Sequence, residues 1–220
     1  MTMIIAEIGL NHNGKLVIAK ELVRSAIWAG ADAVKFQTFW NIGRLKKYEF
    51  SREEWINLKQ FCDDLDITFL SSPHSIEAID FLEELVPMYK IASPYLTNEE
   101  FIKKVASTGK PILLSTGSLS NSNGMATDDE IEKALSYIKT NEIVLMHCVS
   151  KYPCTDPHYE RIDELRKHCM RVGLSDHSTN INIPKDIDVL EKHFMLENQK
   201  CIDENVSLKP EQFREMVDLL

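Results

Sequence analysis

Short apolar runs alternate with longer stretches of helical spacing along almost the whole chain. Eight runs rich in Ile, Val, Leu or Phe predict strands: Met3 to Ile8, Ala33 to Thr38, Ile67 to Ser71, Met88 to Ala92, Ile112 to Ser115, Ile143 to Cys148, Val172 to Leu174 and Val189 to Phe194. Between them apolar residues recur three and four apart, as in Leu16, Ala19, Leu22, Val23, Ala26 and Ile27, or Ile76, Ile79, Phe81, Leu82 and Leu85. Strand then helix, repeated, predicts a parallel sheet, because parallel neighbours need a long crossover.

Boundary signals agree. Thr97 before Asn98-Glu99-Glu100, Thr127 before Asp128-Asp129-Glu130, and Asp156-Pro157 predict helix starts, and Lys209 to Leu220 the last helix. Asn13-Gly14, Gly30, Gly109-Lys110-Pro111 and Gly173 predict turns. The segment Ser118 to Gly124 reads as a solvated surface loop; its place after the fifth strand also allows a mobile lid.

The runs end in polar residues: Glu7, Lys35 with Gln37, Ser71 with Ser72, Lys90 with Ser93, Ser115 with Thr116, His147 with Ser150, Ser175 with His177, and His193. A closed barrel gathers all its strand ends at one mouth, whereas an open doubly wound sheet has no need of polar residues on every strand. The expected fold is therefore a compact α/β TIM (β/α)8 barrel, a single domain over 1–220.

Composition narrows the partners. A formal charge of -9 argues against nucleic acid and anionic membrane surfaces. No run is long enough to span a bilayer and MTMIIAEIG carries no basic leader, so a soluble, cytoplasmic protein is expected. Cys62, Cys148, Cys154, Cys169 and Cys201 form an odd set without a CxxC pair, which suits reduced core thiols.

Lys35 and Gln37 lie two apart and so point to one side of their strand, into the mouth of a barrel. Lysines inside apolar strands need anions, so Lys35 and Lys90 imply a doubly anionic ligand; structural ion pairs with Glu7 or Asp176 are the alternative. Ser72, Ser93, Ser115, Thr116, Ser150 and Ser175 supply the hydroxyls of a phosphate cradle, although any one alone reads equally as a helix cap. His177 and His193 close adjacent strands, about 4.8 Å apart, near enough to share a divalent ion such as Mn2+ or Mg2+ completed by water and substrate. His74, His147, His158 and His168 lack such a pairing, and the last two read as helix surface.

The strings AEIGLNHNG, VKFQTF, FLSSP, YKIAS, LSTG, HCVSKYP, GLSDH and EKHF, in that order, resemble the sialic acid synthase (N-acetylneuraminate synthase) family over nearly the whole chain. The resemblance implies a TIM barrel that condenses phosphoenolpyruvate with N-acetylmannosamine or a related N-acetylated hexose, releasing phosphate and a nine-carbon 2-keto acid. By motif it implies that Lys35 and Lys90 bind phosphoenolpyruvate with Ser72, Ser93, Ser115, Ser150 and Ser175, that His177 and His193 hold the metal, and that Glu7 and Gln37 orient water or sugar. Asp203 falls where the family has an acceptor-binding aspartate.

Three departures qualify the resemblance. Pro94-Tyr95 stands where the family usually has a small residue and an acid, and the short stretch from His177 to His193 predicts a shortened seventh helix. No carboxy-terminal antifreeze-like domain is expected, so a homodimer or partner chain would complete the acceptor site. The alternative function is a non-catalytic barrel that binds phosphoenolpyruvate or a sugar in a regulatory or scaffolding role.

Overall fold

The computed structural model describes residues 2–40 and 43–220. Eight parallel strands form a nearly closed barrel: β1 (Met3–Gly9), β2 (Ala33–Thr38), β3 (Thr68–Pro73), β4 (Tyr89–Ile91), β5 (Ile112–Ser115), β6 (Ile143–Cys148), β7 (Val172–Asp176) and β8 (Val189–His193). Among the described residues the helices are α1 (Leu16–Trp28), α2 (Arg52–Asp64), α3 (Ile76–Leu82), α4 (Glu99–Ala106), α5 (Asp128–Ser136), α6 (Arg161–Leu165) and α7 (Pro210–Leu219). The strands pair in the order β3-β2-β1-β8-β7-β6-β5-β4. At the remaining seam β3 and β4 lie side by side without a described ladder. There the Tyr95 hydroxyl donates to the His74 carbonyl at 2.9 Å, tying the two strand ends at the mouth.

The helices bury their apolar stripes against the sheet, as α1 does with Ala19, Leu22, Val23 and Ala26. Ser51, Ser75, Asn98 and Thr127 cap α2, α3, α4 and α5, and Ser51 and Thr127 belong to full capping boxes with Glu54 and Glu130. The cap of α4 is thus Asn98, one residue after the expected Thr97. Asp156-Pro157 does not open α6, because the His147 ring holds the Pro157 carbonyl at 2.7 Å and His158 turns the chain at φ 48° before Arg161. His158 and His168 consequently flank α6 rather than lie on it.

No helix forms between β7 and β8, so the expected seventh helix is absent rather than shortened. The fully buried Lys192 fills that side of the wall, with its ammonium 2.8 Å from Asp176 Oδ2 and donating at 2.8 Å to the Asn180 carbonyl. Asp176 and Lys192 are paired in register and face outward, which excludes Asp176 as a partner for Lys35. Ser118 to Gly124 is a tied surface loop: Ser118 donates its N–H to the Gly124 carbonyl at 2.9 Å, and the Asn121 amide reaches Glu130 on α5 at 3.0 Å.

Inside the barrel, strand alternation stacks the side chains in layers. Ile5, Ala33, Leu70, Leu113, Val144, Met146 and Val189 form an apolar plug. Two residues further along six of these strands stand Glu7, Lys35, Ser72, Ser115, Cys148 and Glu191, so the plug is the floor of a polar chamber. Gly173 lies within β7 and not in a turn: a Cβ there would come within 2.5 Å of Met146 Sδ and 2.6 Å of the Val189 carbonyl. Gly173→Ala is expected to cost about 1–3 kcal/mol of stability by overpacking. An unchanged denaturation midpoint would show that the plug yields more easily than its geometry implies.

Candidate active site

At the carboxyl ends of the strands lies a cavity of ≈ 400 Å³. Glu7, Lys35, Gln37, Ser72, Lys90, Ser93, Ser115, Ser150, Ser175, His177, His193 and Asp203 all line it, so the candidate residues drawn from eight separate strand ends share one chamber. Ser71, Thr116 and His147 do not. Their neighbours on the strands point inward, so they point out, where Ser71 meets Thr38 at 2.7 Å and Thr116 donates to the Met146 carbonyl at 3.1 Å.

The centre of the site is a buried charge cluster. The Lys35 ammonium lies 2.7 Å from Glu7 Oε2 and donates to Ser72 Oγ at 3.0 Å. Glu191 stands between the two lysines, 3.6 Å from Lys35 and 3.4 Å from Lys90, and accepts from Ser175 Oγ at 2.8 Å. Burial alone would raise the Glu191 carboxyl, but the two ammonium groups prevail and hold it at about 2. For Glu7 burial wins over Lys35, and its carboxyl is raised from 4.5 to about 7. Two lysine side chains therefore face one firm carboxylate and one carboxyl that gains a proton readily. Gln37 donates to Glu7 at 2.9 Å and fixes its orientation.

On the serine side, Gly117 permits close approach: a Cβ there would lie 2.3 Å from Ser150 Oγ and 2.5 Å from Ser93 Oγ. Ser115 Oγ is buried and has no hydrogen-bond partner among the described residues. A hydroxyl left unpaired beside two ammonium groups is suited to an oxyanion.

His177 and His193 stand against each other with ring centroids 5.4 Å apart. His177 Nδ1 lies 2.9 Å from the Val149 carbonyl. Burial lowers this imidazole, but the Cys148 thiolate outweighs it and holds it above its usual range. When the ring gives up its proton, Nδ1–H still donates to Val149 and Nε2 gains a lone pair. Tyr152 stacks on that ring and its hydroxyl lies 2.9 Å from Nε2. His193 is held well below the usual imidazole range, by burial first and by His177 second, which keeps it unprotonated. The pair therefore suits a cation as two nitrogen ligands once Tyr152 releases Nε2, with other positions open. Among the described residues no group of three or more His, Cys, Asp or Glu side chains forms a complete metal cage. Asp203 Oδ2 lies 3.5 Å from His193 Nδ1.

The family model described as the NeuB family matches residues 40–220. The chain belongs to this family. It is 40% identical to the MJ1065 protein of Methanocaldococcus jannaschii, over 99% of this chain and 69% of that one. With the N,N'-diacetyllegionaminic acid synthase of Campylobacter jejuni it shares 33% identity over 97% of this chain and 73% of the relative. Among solved structures, the N-acetylneuraminic acid synthetase of Leptospira borgpetersenii in complex with citrate superposes with a TM-score of 0.90 at 30% identity, covering 99% of this chain and 82% of that one. Among the described residues no helix is long and apolar enough to cross a membrane.

The lining residues that escaped the sequence reading include Glu191, Cys148, Tyr152, His74 and Arg44. Glu191 lies two before His193 and so shares its face, a signal present in EKHF. Cys148, expected among core thiols, lines the cavity 3.9 Å from His177 Nδ1; burial raises the thiol, His177 opposes it, and it settles near 7. Tyr152 and His74 lie past the ends of β6 and β3, where alternation no longer predicts direction.

Two carboxyls of the cluster respond to pH with opposite signs. Glu191, depressed to about 2, contributes stability that is complete above 4.5 and lost as pH falls through 2. Glu7, raised to about 7, contributes stability present below 4.5 and lost as pH rises through 7. Buried His12 and His74, pushed down to about 4 and 3, contribute in the opposite sense over that window. Glu7→Gln should therefore make unfolding free energy rise more steeply with pH between 4.5 and 7 than it does in the wild type. Glu191→Gln should cost about 3–5 kcal/mol at neutral pH, because two buried ammonium groups lose their common partner. Denaturant titrations at several pH values measure both, and a neutral Glu191→Gln would contradict the charge assignment.

Proposed function

We propose that the protein condenses phosphoenolpyruvate with an open-chain N-acetylated hexose of the N-acetylmannosamine type, with a divalent cation, Mn2+ or Mg2+, at His177 and His193. The products are a nine-carbon 2-keto acid of the sialic acid type and inorganic phosphate. The observation that carries this reading is the pair of buried lysines, Lys35 and Lys90, facing a chamber with several serine hydroxyls. Family membership supports the same reaction class.

In this reading Lys35 and Lys90 bind the phosphate and carboxylate of phosphoenolpyruvate, and Ser72, Ser93, Ser115, Ser150 and Ser175 donate to its oxygens. A cation at His177 and His193 would supply a Lewis acid for the sugar's carbonyl oxygen. C3 of phosphoenolpyruvate bonds to the sugar's C1, and the carbonyl electron pair moves to oxygen. Water adds to C2 and gives one proton to Glu7, whose elevated carboxyl accepts it and passes it to that oxygen near neutrality. The C2 hydroxyl then gives its proton to the departing phosphate as the C2–O bond breaks, leaving the 2-keto group. Gln37 holds Glu7 in place, and Asp203, beside His193, meets the sugar's hydroxyls.

Phosphate release measured with phosphoenolpyruvate, Mn2+ and a panel of N-acetylated hexoses tests the proposal. Lys90→Ala should weaken phosphoenolpyruvate binding by about tenfold or more, since a charge-assisted contact contributes about 1.5–3 kcal/mol. Excess chelator should abolish turnover while leaving phosphoenolpyruvate affinity largely intact. Absence of phosphate release with every sugar, alongside intact phosphoenolpyruvate binding, would favour a binding protein over an enzyme.

A further inference from the structure

His74 follows β3 directly and lines the cavity beside Ser72, between the wall that carries Lys35 and the wall that carries Lys90. Its main chain is fixed on both sides: the N–H donates to the Thr38 carbonyl at 3.1 Å, and the carbonyl accepts from Tyr95 at 2.9 Å. The ring is clamped as well. Phe39 stacks on its face with centroids 4.0 Å apart and 19° between planes, and Tyr95 meets it edge-on at 5.5 Å.

Despite this anchoring, neither ring nitrogen has a hydrogen-bond partner among the described residues, and Nε2 is out of reach of water. Stacking between Phe39 and Tyr95 would be served equally by a phenyl ring, without an unpaired polar atom. The imidazole therefore costs the empty protein stability that packing does not require. Burial, then Lys35 and Lys90, push it down from 6.5 to about 3, so it stays neutral and keeps one N–H to donate.

We propose that His74 is a substrate-binding residue: its neutral imidazole donates a hydrogen bond to an anionic oxygen of the ligand held by Lys35 and Lys90. The inference rests on the phosphoenolpyruvate reading above and adds to it a donor without charge. A half-turn about Cβ–Cγ swaps Nδ1 with Cδ2 and Nε2 with Cε1 within the same aromatic clamp, so a ring nitrogen turns toward a bound phosphate or carboxylate oxygen without displacing Phe39 or Tyr95. The Tyr95 hydroxyl, bound to the His74 carbonyl, becomes a positioning group for that contact.

His74→Phe keeps the stacked ring and removes both nitrogens. Calorimetry with phosphoenolpyruvate, and separately with inorganic phosphate, on the wild-type protein and this variant gives the test. The variant should bind about tenfold more weakly, as expected for a lost hydrogen bond to a charged group. Its thermal midpoint without ligand should equal or exceed that of the wild type, which a purely structural histidine would not allow. His74→Gln, which restores a donor, should recover part of the affinity. Wild-type binding that His74→Phe leaves unchanged overturns this inference alone. Failure of the wild type to bind either ligand overturns both it and the phosphoenolpyruvate reading. A fall in the midpoint of His74→Phe with unchanged affinity makes the residue structural.

Discussion

The Glu191 carboxylate, wedged between Lys35 and Lys90, is the interaction on which the rest of the site depends. Its strand, β8, lies apart from β2 and β4 in the sheet order, so the contact crosses the interior of the barrel rather than running along a ladder. Isolated ammonium groups above an apolar plug would carry a desolvation penalty of several kcal/mol each. One carboxylate shared by two lysines offsets part of that penalty and keeps both side chains extended into the chamber. It leaves the cluster short of negative charge whenever Glu7 is protonated, a deficit that the proposed phosphoenolpyruvate anion would fill.

This arrangement explains why the chamber lies above the plug and not within it. The inward layer of Ile5, Ala33, Leu70, Leu113, Val144, Met146 and Val189 excludes water from below, while the mouth remains open above. Charges placed one layer deeper would have no route to a ligand, and charges one layer higher would be screened by solvent. The observed layer is fully enclosed by protein yet reachable by substrate, the condition under which ion pairs are strong enough to orient a small anion.

Much of this was legible because two periodicities are rigid. Alternation along a strand sets which residues face inward, and strand-then-helix repetition sets how the strands are ordered, so the barrel and most polar strand ends of its chamber followed from spacing, whereas Asp203 came only from the family resemblance. Reading failed where the chain leaves regular structure or where one residue type has two uses. Gly173 looked like a turn because glycine usually marks one; only the distance to Met146 and Val189 reveals close packing inside a strand. Glu191 was passed over beside His193, although both occupy the same face. Tyr152 and His74 sit beyond strand ends, where their direction depends on contacts made by residues distant in sequence.

The missing helix between β7 and β8 carries a physical consequence for the opposite wall. A crossover helix would normally cover these strands; here the helix-free connection lays Ile183 and Ile187 against the core, and Lys192 and Asp176 add a buried ion pair, reinforced by the Tyr159 hydroxyl, which donates to Asp176 at 2.8 Å. Because Asp176 and Lys192 sit in register, the pair rivets the two strands at the step between Ser175–Glu191 on one side and His177–His193 on the other. A slip of one residue would turn all four inward groups out of the chamber. The ion pair behind the wall therefore protects the alignment of the imidazoles in front of it. Directional bonds thus add to apolar packing in specifying register on the side of the barrel where no helix covers the strands.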